Sequence, residues 1–163
     1  LFAVIGRYAQ KKLGKLVGIK PGSEMKEAVM IAKKNNLSLA LIDQNINITL
    51  SRFSKYFSWK EKIQIIKDII QAFIRPRKMP FDIRKVPSEK VIKQMMSEVK
   101  IKYPNIYQVL VEERNRVMAR NIQNIHSKAP DKKILAVVGA GHIDGLKELL
   151  VRPFPSYSYS YTT

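Results

Sequence analysis

The stretch Ile134-Leu135-Ala136-Val137-Val138-Gly139-Ala140-Gly141-His142 decides which fold the sequence predicts. A continuous apolar run of this length is typical of a strand buried on both faces of a parallel sheet, and the glycines that follow indicate a turn. The run Leu39-Ala40-Leu41-Ile42, which ends at Asp43, has the same pattern. Two such strands predict a mixed α/β fold. Because two strands are few for a stable sheet, we expect strands to be missing from this chain or supplied by a partner.

Apolar residues spaced three or four apart predict helices over most of the remaining chain. The predicted helices cover residues 2–13, 24–35, 47–57, 59–74, 89–102, 104–127 and 143–151. Ser58 and Glu61 form a Ser-x-x-Glu capping box for the helix over 59–74. Three prolines and several basic residues predict a connector over 75–87, and alternating Ser and Tyr predict a disordered tail over 152–163. The predicted domain is therefore 1–151.

The composition excludes several classes of protein. The chain has 163 residues and no cysteine, which rules out a disulfide scaffold, a thiol nucleophile and a cysteine-based metal site. No run of 18 or more apolar residues occurs, and no signal-peptide pattern opens the chain. We therefore expect a cytoplasmic location, with membrane association reserved for a longer full-length protein. Because the chain opens on Leu1, we expect it to be a fragment.

Positive charge is the strongest compositional signal. The chain has 30 Lys and Arg against 13 Asp and Glu, a net charge of +17, and residues 1–36 and 59–102 carry most of the excess. Such an excess favours nucleic acid or an anionic membrane surface as a partner, but a solvated helix face is the alternative. Aromatic residues that could stack on bases are few, so we expect no nucleic-acid partner and retain membrane-surface contact through the basic helices.

Arg114 and Glu113 are candidate site residues on the helix predicted over 104–127. With 100° per residue, Arg114 falls in the middle of an apolar face and Glu113 at its edge. A buried guanidinium needs a charged or hydrogen-bonding partner, so we expect one near Arg114. The partner could belong to a functional site or to a structural ion pair, or Arg114 could reach the edge of the face.

Asp43 and His142 are candidates because each follows a predicted strand. Ligands of parallel α/β sheets bind at the carboxyl ends of the strands, so we expect the two side chains to share a crevice with Glu113 and Arg114. A structural, hydrogen-bonded His142 is the alternative. The turn at Gly139 imitates a dinucleotide-binding motif, but Asp144 stands where its third glycine is required. Motifs of serine hydrolases, zinc proteases and phosphate loops are absent from the sequence.

Several segments together resemble the TraB family, the pheromone-shutdown (TraB/PrgY) group that is related to GumN and the Tiki proteins. They are Lys20 to Met25, Leu41-Ile42-Asp43 with Ile48 to Arg52, Glu113-Arg114-Asn115 with Met118-Ala119, and Val138 to His142 with Gly145-Leu146. The resemblance implies a mixed α/β core of the erythromycin-esterase/ChaN-like type. It also implies two Gly-x-x-His motifs and a site that gathers Glu and Arg residues.

The sequence contains only some of the motifs that the resemblance implies. Gly139 to His142 matches the second Gly-x-x-His motif, Glu113-Arg114 matches the Glu-Arg pair, and Arg52 matches an arginine of the family. The first Gly-x-x-His motif and its strand are absent, and Asn115 stands where an Asp is common. We therefore expect a domain truncated at its N-terminus that lacks half of its site.

The resemblance implies a metal-dependent hydrolase or peptidase-like domain acting on peptides. In it, His142 would be a metal ligand or base, and Glu113 a ligand or general acid/base. Arg114 and Arg52 would stabilise negative charge, and Asp43, Gly139 and Gly141 would contact substrate or an anion. The expected cofactor is a divalent metal ion, and the expected partners are a peptide and, across an open sheet edge, a second copy of the chain. The alternative is a non-enzymatic module that binds a peptide or an anionic surface.

Overall fold

The computed structural model of the chain describes residues 22–74 and 88–151. These residues are 77% helical. The helices are α1 (Ser23–Lys34), α2 (Ile46–Tyr56), α3 (Trp59–Ile74), α4 (Glu89–Lys102), α5 (Pro104–Tyr107), α6 (Glu113–Lys128) and α7 (Ile143–Val151). A π-helical turn, Gln108–Glu112, joins α5 to α6, and a 3-10 turn, Ala140–His142, leads into α7. The predicted helix 2–13, connector and tail lie outside the described residues.

The predicted mixed α/β fold is wrong for the part of the chain that the structure describes, because residues 22–74 and 88–151 contain no strand and no sheet. Neither apolar run pairs with another, and a strand is stable only with neighbours that satisfy its backbone hydrogen bonds. Leu41 and Leu135 are 89% and 90% exposed, whereas a buried strand would cover both.

The two runs instead contribute their last apolar residues to a helical core. Ile42 and Val138 pack against a buried cluster of Met118 and Ala119 on α6 and Leu146 on α7. The side-chain Nδ2 of Asn121 donates to the backbone oxygen of Ile42 at 2.8 Å and so replaces the hydrogen bond that a neighbouring strand would have made. The ends of both runs are therefore fixed beside α6 without a sheet.

Side-chain caps set the start of two helices. The side chain of Asn45 accepts from the backbone N–H of Asn47 at 2.8 Å and caps α2. At α3 the predicted capping box is confirmed: Ser58 Oγ accepts from the N–H of Glu61 at 3.2 Å, and Glu61 Oε2 accepts from the N–H of Ser58 at 3.2 Å. Among the helices of the described residues, none is long and apolar enough to cross a membrane.

Candidate functional site

Three consecutive residues at the start of α6, Glu113, Arg114 and Asn115, reach three different elements. Successive residues of a helix project about 100° apart, so neighbours in sequence face different directions. Glu113 contacts Arg52 of α2, Arg114 contacts Asp43, and Asn115 contacts the imidazole of His142. The start of α6 is therefore the point at which the predicted site residues are assembled.

The pair formed by Arg52 and Glu113 is bidentate. Arg52 Nη2 donates to Glu113 Oε1 at 2.6 Å, and Arg52 Nε donates to Glu113 Oε2. The Glu113 carboxylate is buried, whereas Arg52 is 42% exposed and lies over the ring of Tyr56, 5.1 Å from its centre. Both carboxylate oxygens of Glu113 are thus occupied by one guanidinium, which compensates for the burial of the charge.

The pair formed by Arg114 and Asp43 has the same bidentate geometry. Arg114 Nε and Nη2 donate to the two carboxylate oxygens of Asp43 at 3.0 and 2.6 Å, and Nη1 donates to the backbone oxygen of Leu110 at 3.1 Å. Burial raises the pKa of Asp43, but the hydrogen bonds and charge of Arg114 outweigh it and leave the pKa below 3.8. Asp43 is therefore a carboxylate at neutral pH.

His142 is buried and held by one ring nitrogen. Its Nδ1 lies 2.7 Å from Oδ1 of Asn115, which is buried as well. Burial lowers the pKa of His142 below 6.5, and the charge of Arg114 lowers it further against an opposing effect of Asp43. The imidazole is therefore neutral at pH 7. An amide oxygen only accepts hydrogen bonds, so Nδ1 carries the proton and the lone pair is on Nε2.

The Nε2 atom of His142 has no hydrogen-bond partner among the described residues. A neutral imidazole whose Nδ1 is fixed keeps a lone pair on Nε2, which can accept a proton or bind a metal ion.

Two glycines make room for this arrangement. A Cβ atom at Gly145 would overlap Nδ2 of Asn115, so α7 can approach α6 only because residue 145 has no side chain. A Cβ atom at Gly141 would lie 3.0 Å from the sulfur of Met96 on α4. The backbone oxygen of Gly139 accepts a hydrogen bond from the backbone N–H of His142 at 2.9 Å. The structure thus places Gly139 and Gly141 at the turn and against α4, and their predicted contact with an anion stays a prediction.

The structure joins four of the five predicted side chains in two ion pairs, Arg52 with Glu113 and Asp43 with Arg114, and ties His142 to the same helix through Asn115. Asp43 and His142 are each tied to the start of α6, Asp43 through Arg114 and His142 through Asn115, without the sheet that was expected to bring them together. The catalytic and binding roles of these residues stay predictions.

Arg114 does not lie in the middle of the buried face of its helix. The buried residues of α6 are Glu113, Asn115, Met118, Ala119 and Ile122, whereas the Arg114 side chain is 28% exposed. The prediction used 100° per residue through residues 107–125, but the π-helical turn at Gln108–Glu112 has roughly one more residue per turn. Residues after that turn therefore face a different direction from the one that a uniform α-helix predicts.

Asn115 and Gly145 are site residues that the sequence reasoning did not assign. A signal for Asn115 was present: Val111, Asn115, Met118 and Ile122 follow one another at intervals of four, three and four. A polar residue inside such an apolar stripe is buried and needs a partner. The requirement for glycine at 145 had no local signal, because it arises only from the contact between α6 and α7.

The described residues do not by themselves make a metal site. Within residues 22–74 and 88–151, no group of three or more His, Asp or Glu side chains is placed to hold an ion. Both oxygens of Glu113 and both of Asp43 are bound to arginines. Nε2 of His142 is the atom of these side chains that the two ion pairs do not use, and by itself it does not make a metal site.

Comparison with known proteins gives consistent matches. The sequence profile of the TraB/PrgY/gumN family matches residues 2–152. An uncharacterized protein of Methanocaldococcus jannaschii is 40% identical over 146 residues, which cover 87% of this chain and 35% of that protein. TraB domain-containing proteins of Mus musculus and Homo sapiens are each 25% identical over 166 residues, covering 87% of this chain and 44% of theirs. The chain thus spans less than half the length of these relatives. No solved structure matches it at a significant level.

Proposed function

Because the chain belongs to the TraB/PrgY/gumN family, we propose that the cluster at the start of α6 is part of a hydrolytic, peptidase-like site that acts on peptides. The observation that supports this most is the state of His142. Its imidazole is neutral, its Nδ1 is held by Asn115 at 2.7 Å, and the lone pair is therefore on Nε2. The sequence match establishes the family, and the hydrolytic activity is our proposal.

In this proposal His142 is the proton acceptor. A general base must be unprotonated near neutral pH and must keep a fixed orientation toward the proton that it removes. The lowered pKa of His142 meets the first condition, and the hydrogen bond to Asn115 meets the second. A water molecule beside Nε2 would lose its proton to this nitrogen as it attacks a peptide carbonyl, and the imidazolium would return that proton to the leaving amine as the C–N bond breaks. Asn115 is then a positioning residue, which acts through His142.

The arginines would stabilise negative charge on the substrate. The bidentate pair with Glu113 uses Nε and Nη2 of Arg52 and does not use its Nη1 group, which carries two further N–H donors. A substrate carboxylate or the oxyanion formed by attack on a carbonyl would be stabilised by such donors. In the same proposal Glu113 and Asp43 hold the two guanidinium groups in place and do not take part in proton transfer, because each is bound through both oxygens.

A divalent metal ion is part of the proposal only as an additional component. If one is bound, it would activate the attacking water, and Nε2 of His142 is the described atom placed to be its ligand. Glu113, which was also predicted as a ligand, would have to release Arg52 first. With an ion bound, the Nε2 lone pair would be used for coordination, so the proton transfer assigned above to His142 applies to the metal-free site, whereas the roles of Asn115 and Arg52 are the same in both cases.

Peptide cleavage provides the test. The chain is incubated with a mixture of synthetic peptides, with and without added Zn²⁺ or Mn²⁺, and products are identified by mass spectrometry. We expect cleavage by the unmodified chain, and a loss of about 100-fold or more in rate for His142→Gln. His126→Gln, at an exposed histidine of α6, is the matched control and should keep full activity. No cleavage under any condition, or equal cleavage by His142→Gln, contradicts the proposal.

A non-enzymatic binding module is the second candidate. Its support is the engagement of both site carboxylates by arginines, together with the net charge of +17. In this case the chain would bind acidic peptides or an anionic surface without changing them. Binding that weakens steeply with salt and leaves the peptides intact would favour this candidate over the hydrolase.

A further inference from the structure

Helix α3 turns its polar side toward the rest of the described residues and its apolar side away from them. Glu61 is buried and accepts from the backbone N–H groups of Asn105 and Ile106 at 2.8 and 3.3 Å. Asp68, two turns further on, accepts from the hydroxyl of Tyr103 at 2.5 Å and from Lys102 Nζ at 3.5 Å. These contacts orient the helix, so its opposite side faces outward.

The outward side of α3 carries large apolar residues that are between 51% and 77% exposed: Trp59, Ile63, Ile66, Ile69, Ile70 and Ile74. A surface helix ordinarily buries its apolar side and exposes its polar side. Exposed isoleucines in one continuous stripe cost free energy in water unless another surface covers them. This inversion indicates a docking surface.

The spacing of the stripe specifies the kind of surface that fits it. Trp59, Ile63, Ile66 and Ile70, which we name the α3 seam, follow one another at intervals of four, three and four residues. This is the spacing of the positions that meet a partner helix in a coiled coil, where each side chain fits between four side chains of the other helix. A fluid lipid surface has no such register, so the spacing favours a helix as the occupant.

The charges beside the α3 seam specify the partner further. Lys60, Lys62 and Lys67 occupy flanking positions, and Lys62 Nζ lies 4.4 Å from the centre of the Trp59 ring. The acidic residues of the helix, Glu61 and Asp68, lie on the opposite side and are engaged there. Charges at flanking positions determine which helices pair, so the flanks of the occupant should be acidic.

Charge also argues against the chain itself as the occupant. A second copy would bring the same three lysines to the flanks, and like charges across a helical seam are unfavourable. The segments outside the described residues are basic as well: residues 1–21 contain five Lys or Arg and no acidic residue, and residues 75–87 contain five and one. Complementary charge is therefore expected from a helix outside these 163 residues.

We propose that the α3 seam binds an amphipathic helix of a partner protein, with apolar residues on its seam and Asp or Glu at its flanks. The surface is separate from the candidate site, since none of Asp43, Arg52, Glu113, Arg114 and His142 belongs to it. The chain therefore has a helix-docking face that does not depend on whether the site at α6 is catalytic.

Fluorescence of Trp59, the single tryptophan of the chain, reports occupation of the seam directly. The probe is a synthetic peptide of about four heptads with Ile and Leu on its seam and Glu at its flanks, whose like charges oppose pairing with itself. We expect a blue shift of Trp59 emission that saturates with this peptide. A peptide with Lys at the flanks should bind about tenfold more weakly or worse.

Variants distinguish binding at the α3 seam from non-specific hydrophobic binding. Ile66→Ser should weaken binding of the acidic peptide by about tenfold or more, because it removes apolar area from the middle of the seam. Ile31→Ser on α1, at an isoleucine 50% exposed, is the matched control and should bind normally. Lys62→Glu with Lys67→Glu should reverse the preference between the two peptides, and circular dichroism checks that each variant keeps its helices.

Three results would overturn the proposal. Equal binding of the acidic and basic peptides would show that charge does not select the partner. A blue shift produced by vesicles of phosphatidylcholine and phosphatidylglycerol, but not by the acidic peptide, would assign the seam to a membrane surface. Concentration-dependent dimers in sedimentation that Ile66→Ser abolishes would assign it to a second copy of the chain.

Discussion

At the scale of single residues, the site depends on a buried amide that holds a buried imidazole. Asn115 and His142 are 4% and 9% exposed, and Oδ1 of Asn115 and Nδ1 of His142 satisfy one another. A buried polar group without a partner costs more than the hydrogen bond itself contributes, so the pair is sensitive to any change in the space around it. That space is defined by Gly145 on the neighbouring helix.

Gly145→Ala should destabilise the protein by about 1–3 kcal/mol, because the added methyl group overlaps the amide of Asn115. Gly139→Ala is the control, since its Cβ atom would be 3.5 Å from the His142 ring, an ordinary contact distance. The measurement is the free energy of unfolding in urea.

Combining Gly145→Ala with Asn115→Ala tests the cause. The double variant should lose less than the sum of the two single losses, because the overlap disappears with the amide. Strict additivity would mean that residue 145 is restricted by something other than Asn115.

His142 should titrate below its usual range, and this sets a pH dependence of folding. Burial lowers the pKa of the folded-state imidazole below 6.5, so the unfolded chain takes up the proton first as the pH falls. The free energy of unfolding should therefore decrease from about pH 6.5 downward. NMR titration of the His142 ring checks the pKa, and urea unfolding at pH 7 and 5.5 checks the stability.

The same experiment has a control in the second histidine. His142→Gln should reduce the difference in stability between the two pH values, and His126→Gln should preserve it. Near pH 4 the titration of Asp43 contributes in addition, since Arg114 lowers the pKa of its carboxyl and the pair is lost on protonation. A His142 pKa above 6.5 would contradict the burial of a neutral ring.

At the scale of elements, α3 is held mainly by polar contacts at one side and presents its apolar side outward. Glu61 closes the capping box of its own helix and also accepts from the first N–H groups of α5. Burial raises the pKa of Glu61, but the backbone hydrogen bonds from Asn105, Ile106 and Ser58 outweigh it, so the pKa is lowered and the carboxylate stays charged. One side chain thus joins two helix starts, where unpaired N–H groups favour negative charge.

Glu61→Ala should cost about 2–4 kcal/mol, which combines loss of the cap with unsatisfied N–H groups at α5. Glu61→Gln keeps an acceptor oxygen without the charge and should cost clearly less. Lys60→Ala, at an exposed neighbour, should stay within about 0.5 kcal/mol of the original stability. Equal unfolding midpoints for Glu61→Ala and Lys60→Ala would show that Glu61 does not join the two helices.

The contact between Tyr103 and Asp68 strengthens the same junction. Burial raises the pKa of Tyr103 to about 12, with further contributions from the hydrogen bond to Asp68 and from its charge. Tyr103 therefore keeps its hydroxyl proton, and can donate it to Asp68, throughout the neutral pH range. This contact lies on the side of α3 opposite the α3 seam, so a partner helix can dock without disturbing it.

At the scale of the whole molecule, two bidentate ion pairs close long stretches of chain onto α6. Arg52 and Glu113 are 61 residues apart in sequence, and Asp43 and Arg114 are 71 apart. Most of the net positive charge lies outside residues 22–74 and 88–151. Those outer segments contain 11 of the 30 basic residues but only one of the 13 acidic residues. In the described part, many acidic groups are paired with specific basic ones.

A double-mutant cycle measures how much one of these ion pairs contributes. Asp43→Ala and Arg114→Ala should each destabilise the protein, and the coupling energy between them should be about 1 kcal/mol, since the pair is bidentate but partly exposed. The coupling should fall in high salt. Lys93→Ala with Glu89→Ala, an exposed pair on α4, is the control and should couple by about 0.5 kcal/mol or less.

The sequence by itself determined the local features. Most helix bounds and the Ser58–Glu61 capping box follow from spacing and caps, which act within a few residues, and the five candidate site residues were chosen from spacing and motifs. The need of Arg114 for a partner followed from the cost of an unpaired charge in an apolar face, and Asp43 is that partner. Family membership also followed, because ordered motifs are a property of the sequence.

The tertiary structure alone decided how those features are combined. The apolar runs at 39–42 and 134–138 look like buried strands, but strand formation depends on a neighbouring strand, and among the described residues they end against α6 and α7 instead. The π-helical turn rotated Asn115 into the interior and Arg114 to its edge, which a uniform helical period cannot show. The requirement for Gly145 and the outward apolar face of α3 likewise arise from contacts between elements, and these are distant in sequence.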